Sequence, residues 1–145
     1  MAARFDYAHG ISAIDADLVR PRMASIHLLQ SGDKLAVVDT GTSHAVPAVL
    51  DAIVARGRTP ADVEWVVLTH IHLDHAGGAG ALMQALPNAR LLVHPRGARH
   101  MVDPARLIAS ATSVYGEETL RQTYGDILPI AAERVVESAE GMTID

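Results

Sequence analysis

The chain has 145 residues, is 49% hydrophobic and 20% charged, and carries a formal net charge of -5. That length holds one domain with its own core, and the composition excludes a disordered chain. The acidic balance without a basic run excludes a nucleic-acid footprint, no apolar stretch reaches the ~18 residues of a membrane span, and the lack of cysteine excludes disulfides and thiolate metal sites.

The first nine residues are polar and mixed, unlike a secretory signal, so the expected location is the cytoplasm. Strands are predicted over 11–16, 23–30 and 35–38, with a hairpin turn at Ser31-Gly32-Asp33 and an end at Asp39-Thr40-Gly41. A helix follows over 45–56, with Val46, Val49, Leu50, Ile53 and Val54 on one face, Ser43 as its cap and Gly57 as its stop. Thr59-Pro60-Ala61-Asp62 reads as one capped helical turn. Residues 63–68 form an almost continuously apolar strand, as expected where both faces are covered. Beyond it lie a glycine-rich turn at Gly77-Gly78-Ala79-Gly80, a helix to about Leu86, a strand over 91–93, and helices opening at Pro95, at Pro104 with Asp103 as cap, and over 116–124. The last residues read as strands at 135–136 and 142–144 around a turn at Glu140-Gly141.

Strands alternating with helices give an α/β class, and the opening hairpin makes the sheet mixed. The chemistry concentrates in Thr69-His70-Ile71-His72-Leu73-Asp74-His75, at the carboxyl end of the strand over 63–68. His70 and His72 are two apart, so on an extended segment their rings point the same way and can reach one ion. Asp74 and His75 fall where the chain turns, aimed at a second ion a few ångströms away, as in two-metal hydrolases. Without cysteine, the ligand set is imidazole and carboxylate, which suits Zn2+ and also iron or manganese. Three histidines and an aspartate within six residues are not ordinary surface composition.

The run His70-Ile71-His72-Leu73-Asp74-His75 resembles the His-x-His-x-Asp-His signature of the metallo-β-lactamase superfamily. Val37-Val38-Asp39-Thr40-Gly41, Trp65-Val66-Val67-Leu68-Thr69 and Ala76-Gly77-Gly78 extend the resemblance over about residues 20–100. It is closer to the glyoxalase II-like hydrolases than to the antibiotic-destroying enzymes. The resemblance implies an αβ/βα sandwich with two zinc sites in the complete domain. His70 and His72 would serve metal one, and Asp74 and His75 metal two. Asp74 would also orient a metal-bound hydroxide that attacks an ester, thioester, lactone or related bond of a small-molecule substrate. It makes Asp39 a support for the ligand loop, against the alternative of a plain turn residue, and Thr69 a tie for that loop.

The third histidine of metal one, the bridging aspartate and the final histidine of the family pattern have no counterpart in the 145 residues. The pattern therefore implies only the amino-terminal half of the sandwich, whose open sheet face a second copy or a carboxyl-terminal half would cover. Two further readings stay open: a non-catalytic metal-binding or interaction module, and a mononuclear-iron enzyme similar to the persulfide dioxygenases. The His-x-His of an amidohydrolase barrel fits less well, because such a barrel needs about 250 residues. His94 and His100 are candidates for the edge of the pocket, though a surface histidine beside Pro95 is the simpler expectation for His94. His9, His27 and His44 stand outside any constellation. Tyr115 and Tyr124 read as helix packing before pocket lining. Gly77, Gly78 and Gly80 lack the Lys-Ser/Thr of a phosphate loop and instead read as sites of close backbone approach.

Overall fold

The computed structural model describes residues 2–145, and its seven-stranded sheet follows chain order from edge to edge. Strands β1 (Arg4–Asp6), β2 (Ile11–Asp15), β3 (Ser25–Ser31) and β4 (Lys34–Val38) pair antiparallel. From β4 onward, β5 (Val63–Val67), β6 (Arg90–Val93) and β7 (Val135–Glu137) pair parallel. The change follows the connections, since parallel neighbours need a crossover that turns alone cannot supply. Helix α1 (Val46–Ala55) joins β4 to β5, and α2 (Leu73–Ala76) with α3 (Ala79–Ala85) joins β5 to β6. Helices α4 (Pro95–Val102), α5 (Ala105–Tyr115) and α6 (Glu117–Tyr124) lie between β6 and β7. This is the mixed α/β arrangement expected from the sequence.

Local signals act where they were read, with three corrections. The Thr59 backbone N–H donates to Asp62 Oδ2 at 2.8 Å, closing the expected capped turn. Asp103 Oδ1 accepts from the Ala105 N–H at 3.1 Å and so caps α5. Ser43, however, is not the cap of α1. A single 3-10 turn over Ser43–Ala45 precedes that helix, and Thr42 Oγ1 accepts the His44 N–H at 3.2 Å. Residues 142–144 form no strand, because Met142 N–H closes a tight turn onto the Ala139 carbonyl at 3.1 Å and no ladder with β7 follows. Strand β1 was not expected. It is short and polar, and it holds the edge through Ser12, whose hydroxyl donates to Asp6 at 2.6 Å and accepts from the Arg56 guanidinium, also at 2.6 Å.

Register sorts the side chains onto two faces. One row, Leu28, Val37, Val66 and Leu91, is buried with Val49 and Ile53 of α1, Leu82 and Met83 of α3, and Met101 of α4 in one aliphatic core. The opposite row, Ala13, His27, Val38, Val67 and Leu92, meets no helix of that core. There Leu29 is 37% exposed, and the Arg90 guanidinium lies 4.2 Å from the Trp65 ring centre, covering it by a cation–π contact. Among the described residues no helix is long and apolar enough to cross a membrane.

The far end of α3 depends on one side chain. Arg134 donates to the carbonyls of Met83 at 2.8 Å, of Leu86 at 2.5 Å and of Ala89 at 2.7 Å. These carbonyls lie at a helix end and its exit turn, where those of Met83 and Leu86 also accept the Leu86 and Ala89 N–H groups at 3.3 Å, and the cation suits the helix dipole. An Arg134→Met variant keeps the apolar stem and removes the charged hydrogen bonds to these carbonyls. It is expected to unfold about 2 kcal/mol more easily, the scale of lost hydrogen bonds to a charged group, as read by urea denaturation.

Candidate metal centre

Three parallel strands end on the same side of the sheet. Asp39 follows β4, Thr69 and His70 lie just beyond β5, and His94 follows β6. Carboxyl ends of parallel strands are where α/β sheets gather functional residues.

His70 and His72 flank Ile71, which faces inward. A Cβ on Gly97 of α4 would lie only 2.6 Å from Ile71 Cγ2, so the glycine lets the helix close over that side chain. With Ile71 turned in, both rings turn out, their centres 4.9 Å apart. The His72 carbonyl then accepts the N–H groups of His75 at 2.9 Å and Ala76 at 2.8 Å, which winds the chain into α2. That turn brings the His75 ring to 4.3 Å from His70, and His75 Nε2 to 3.2 Å from Asp74 Oδ2. Donor atoms of His70, His72 and Asp74 lie within 4.8 Å of one another, and so do those of Asp39, His70 and His75. The four residues of the motif thus share one focus, with His70 in both groups. The partition differs from the pairing expected from the sequence, because the α2 turn folds His75 back onto His70. His70 and His72 are exposed, while Asp74 and His75 are half-buried, so the focus is open to a ligand.

Asp39 is only 7% exposed and organises the ring nitrogens. Its Oδ1 accepts the Thr69 N–H at 2.8 Å, and its Oδ2 accepts the Thr69 hydroxyl at 2.8 Å. His75 Nδ1 lies 3.0 Å from the same Oδ2. A carboxylate only accepts, so His75 Nδ1 carries a proton. Thr69 has one hydroxyl proton and gives it to Asp39, so its oxygen must accept from His70 Nδ1 at 2.9 Å. His70 therefore holds the tautomer that leaves its Nε2 bare for coordination, while His75 Nε2 faces Asp74 Oδ2 at 3.2 Å. Asp39 also has φ +59°, a left-handed backbone that aspartate tolerates better than most residues. The turn residue and the ligand-loop support weighed from the sequence are one and the same.

The loops after β4 and β5 are bonded back to back. Thr40 gives its N–H at 2.8 Å and its hydroxyl at 2.9 Å to the His75 carbonyl, and Gly78 N–H donates to Gly41 O at 2.9 Å. A Cβ on Gly78 would sit 2.5 Å from the Thr42 oxygen, and one on Gly80 would sit 2.0 Å from the Leu128 oxygen. These glycines serve close backbone approach, as read from the sequence.

Residues 19–143 match the family model of the Metallo-beta-lactamase superfamily. The chain belongs to that superfamily. Among curated proteins it is similar to Metallo-beta-lactamase domain-containing protein 1 of Mus musculus and of Homo sapiens. Each is 46% identical over 57 residues, which is 39% of this chain and 20% of theirs. Among solved structures it is similar to the metallo-beta-lactamase SMB-1 bound to 2-mercaptoethanesulfonate, with TM-score 0.71 and 22% identity over 98% of this chain and 49% of that one. It is also similar to a Cronobacter sakazakii metallo-beta-lactamase with a HARLDQ motif, with TM-score 0.65 and 23% identity over 96% of this chain and 47% of that one. At these identities the structures establish the metallo-β-lactamase fold, and the chain spans about half the length of the solved structures it matches.

His70, His72, Asp74 and His75 gather at the focus, and the other histidines lie elsewhere. His94 is exposed, and its Nδ1 accepts the Arg96 N–H at 3.1 Å, capping α4. His100 is half-buried on α4 beside Arg99 Nε at 3.4 Å. Neither belongs to a cluster of potential metal-holding residues among those described. His44 is not idle, since its Nε2 meets the Gln122 carbonyl of α6 at 3.0 Å. Tyr124 is a residue whose position the sequence did not convey. Its phenol is held above its ordinary pKa by burial first, then by Tyr115 and by the negative charge of Asp74.

Proposed function

We propose that this chain contributes the metal-binding half of a metal-dependent hydrolase that cleaves an ester, thioester or lactone-type bond in a small molecule. The observation that supports the reading is the convergence of His70, His72, Asp74 and His75 with two imidazole tautomers fixed by Asp39 and Thr69. Imidazole nitrogens with a carboxylate suit zinc, with iron and manganese as the alternatives. The residues present fit such an ion, because their donor atoms gather within 4.8 Å in two groups that share His70 and the site opens to solvent on the His70 and His72 side. A bound ion would supply an acidified water, a nucleophile at neutral pH, and stabilisation of the oxyanion. The chain's own residues hold the frame for that chemistry. Asp74 would help hold the ion and orient the attacking water. Asp39 keeps His75 and, through Thr69, His70 in place.

The test is loading and turnover together. Zinc at about a thousand times its dissociation constant is expected to raise the stability by about 4 kcal/mol and a chelator to reverse it, as read by thermal melting. Thioester, lactone and phosphodiester probes with added zinc, manganese or iron then separate an enzyme from a metal-binding module. Metal-dependent stabilisation with no turnover of any probe would favour the module.

The helix-free face of the sheet supports a second proposal about assembly. Ala13, His27, Val38, Val67 and Leu92 form a continuous row there, and the matching solved structures contain about as much chain again. A second copy covers this face. Sedimentation equilibrium is expected to return the dimer mass at micromolar concentration, and a dispersed monomer would refute the assignment.

A further inference from the structure

The segment that leaves α6 lies across the seam between the two ligand loops. On the β4 side, His44 Nε2 donates to the Gln122 carbonyl at 3.0 Å, and the Ser43 hydroxyl donates to the carbonyl of Asp126, two residues beyond the helix. Between these links Gly125, at φ +68°, presses so close that a Cβ on it would lie 3.1 Å from Ser43 Cβ and 3.3 Å from His44 Cε1. On the β5 side, the Leu128 carbonyl fills the space that a Cβ on Gly80 of α3 would need. Residues 122–128 therefore hold the loop after β4 and the helix that continues α2 at the same time.

The path from these contacts to the ligands is short. Ser43 directly follows the Thr40–Thr42 stretch, in which Thr40 bonds the His75 carbonyl and Thr42 packs on Gly78. Asp39, at the head of the same loop, holds His75 Nδ1 at 3.0 Å. One end of the loop is thus tied to a motif histidine and the other to the exit of α6. No residue of 122–128 belongs to a donor cluster, so any effect of this segment on an ion passes through loop geometry alone.

We propose that the α6 exit is a clamp that positions the metal centre, with Ser43 as the positioning residue through which it acts. The inference rests on the metal reading above. Ligands carried by two loops must be brought into alignment when an ion binds, and a segment bonded to one loop and packed on the other supplies that alignment in advance.

Two variants loosen the clamp by different means. Ser43→Ala removes one hydroxyl, and Gly125→Ala drives a methyl group onto Ser43 and His44. Gly116→Ala is the control. Gly116, at the other end of α6, shares the positive φ and extended ψ of Gly125, so alanine carries similar backbone strain at either, but nothing lies within 4 Å of a Cβ there. Zinc titration calorimetry of the whole chain is expected to show affinity about tenfold lower in Ser43→Ala and Gly125→Ala, and unchanged in Gly116→Ala. In the metal-free chain, proton NMR reads the exchange with water of the His75 Nδ1 proton held by Asp39. It is expected to quicken about tenfold in the two clamp variants and not in the control. A parent that binds no zinc overturns the metal reading and this proposal with it. If the parent binds zinc, the clamp alone is overturned when Ser43→Ala binds it equally tightly, when the His75 proton in Ser43→Ala exchanges as in the parent, or when Gly116→Ala weakens binding as much as Gly125→Ala does. Ser43→Ala decides the matter should a glycine variant fail to fold.

Discussion

Replacing His70 with alanine is expected to remove metal binding at the whole focus and lower turnover about a thousandfold. His70 is the one motif residue in both donor clusters, with His72 and Asp74 on one side and Asp39 and His75 on the other. Loss of its ring therefore weakens every combination of ligands the site offers. Loss of several kcal/mol of charge stabilisation corresponds to about three powers of ten in rate. The fold should survive, because His70 is exposed and lies outside the aliphatic core. Metal content by mass spectrometry, circular dichroism and turnover of the best probe substrate, compared with the parent, check the three parts. A His70→Ala protein that still retains a full complement of metal would refute the shared focus.

The second large effect is expected from Asp39→Asn, a change that touches no proposed ligand of the motif. Asparagine tolerates the same left-handed backbone, here φ +59°, so the turn is kept. Its amide has one acceptor oxygen, while Asp39 serves the Thr69 N–H, the Thr69 hydroxyl and His75 Nδ1 together. One of these donors then faces an amide N–H, and the imidazoles lose their fixed tautomers. Metal affinity should fall about 10- to 100-fold, the usual scale for a partner behind the ligands, with little change in secondary structure. Isothermal titration with zinc reads the first, circular dichroism the second. Equal affinity in parent and variant would reduce Asp39 to a turn residue.

The legibility of this chain follows the range of the forces involved. The α/β order, the capped turn at Thr59, the proline starts of α4 and α5 and the convergence of the histidine run were all readable, because each is set by neighbours a few residues apart. The pairing of His75 with His70 was not. It depends on one α2 turn whose direction the Thr40 and Gly78 contacts decide from another loop. Arg134 reaches carbonyls more than forty residues away, so no local pattern foretold it. The 142–144 strand failed for the same reason, since apolar residues make a strand only where a partner edge is presented. The anchoring of α6 through His44 Nε2 and the Gln122 carbonyl was not readable either, because His44 has no motif of its own.

The ligand loops issue from β4 and β5, the two strands with three and two neighbours respectively between them and the outer edges of the sheet. Amide exchange in such a sheet starts at the rims, where β1 and β7 are short and bonded on one side only. The coordinating groups are therefore hung from the slowest-opening part of the molecule. Breathing of the outer strands leaves their alignment intact, and the centre should keep its order until the cooperative loss of the whole sheet.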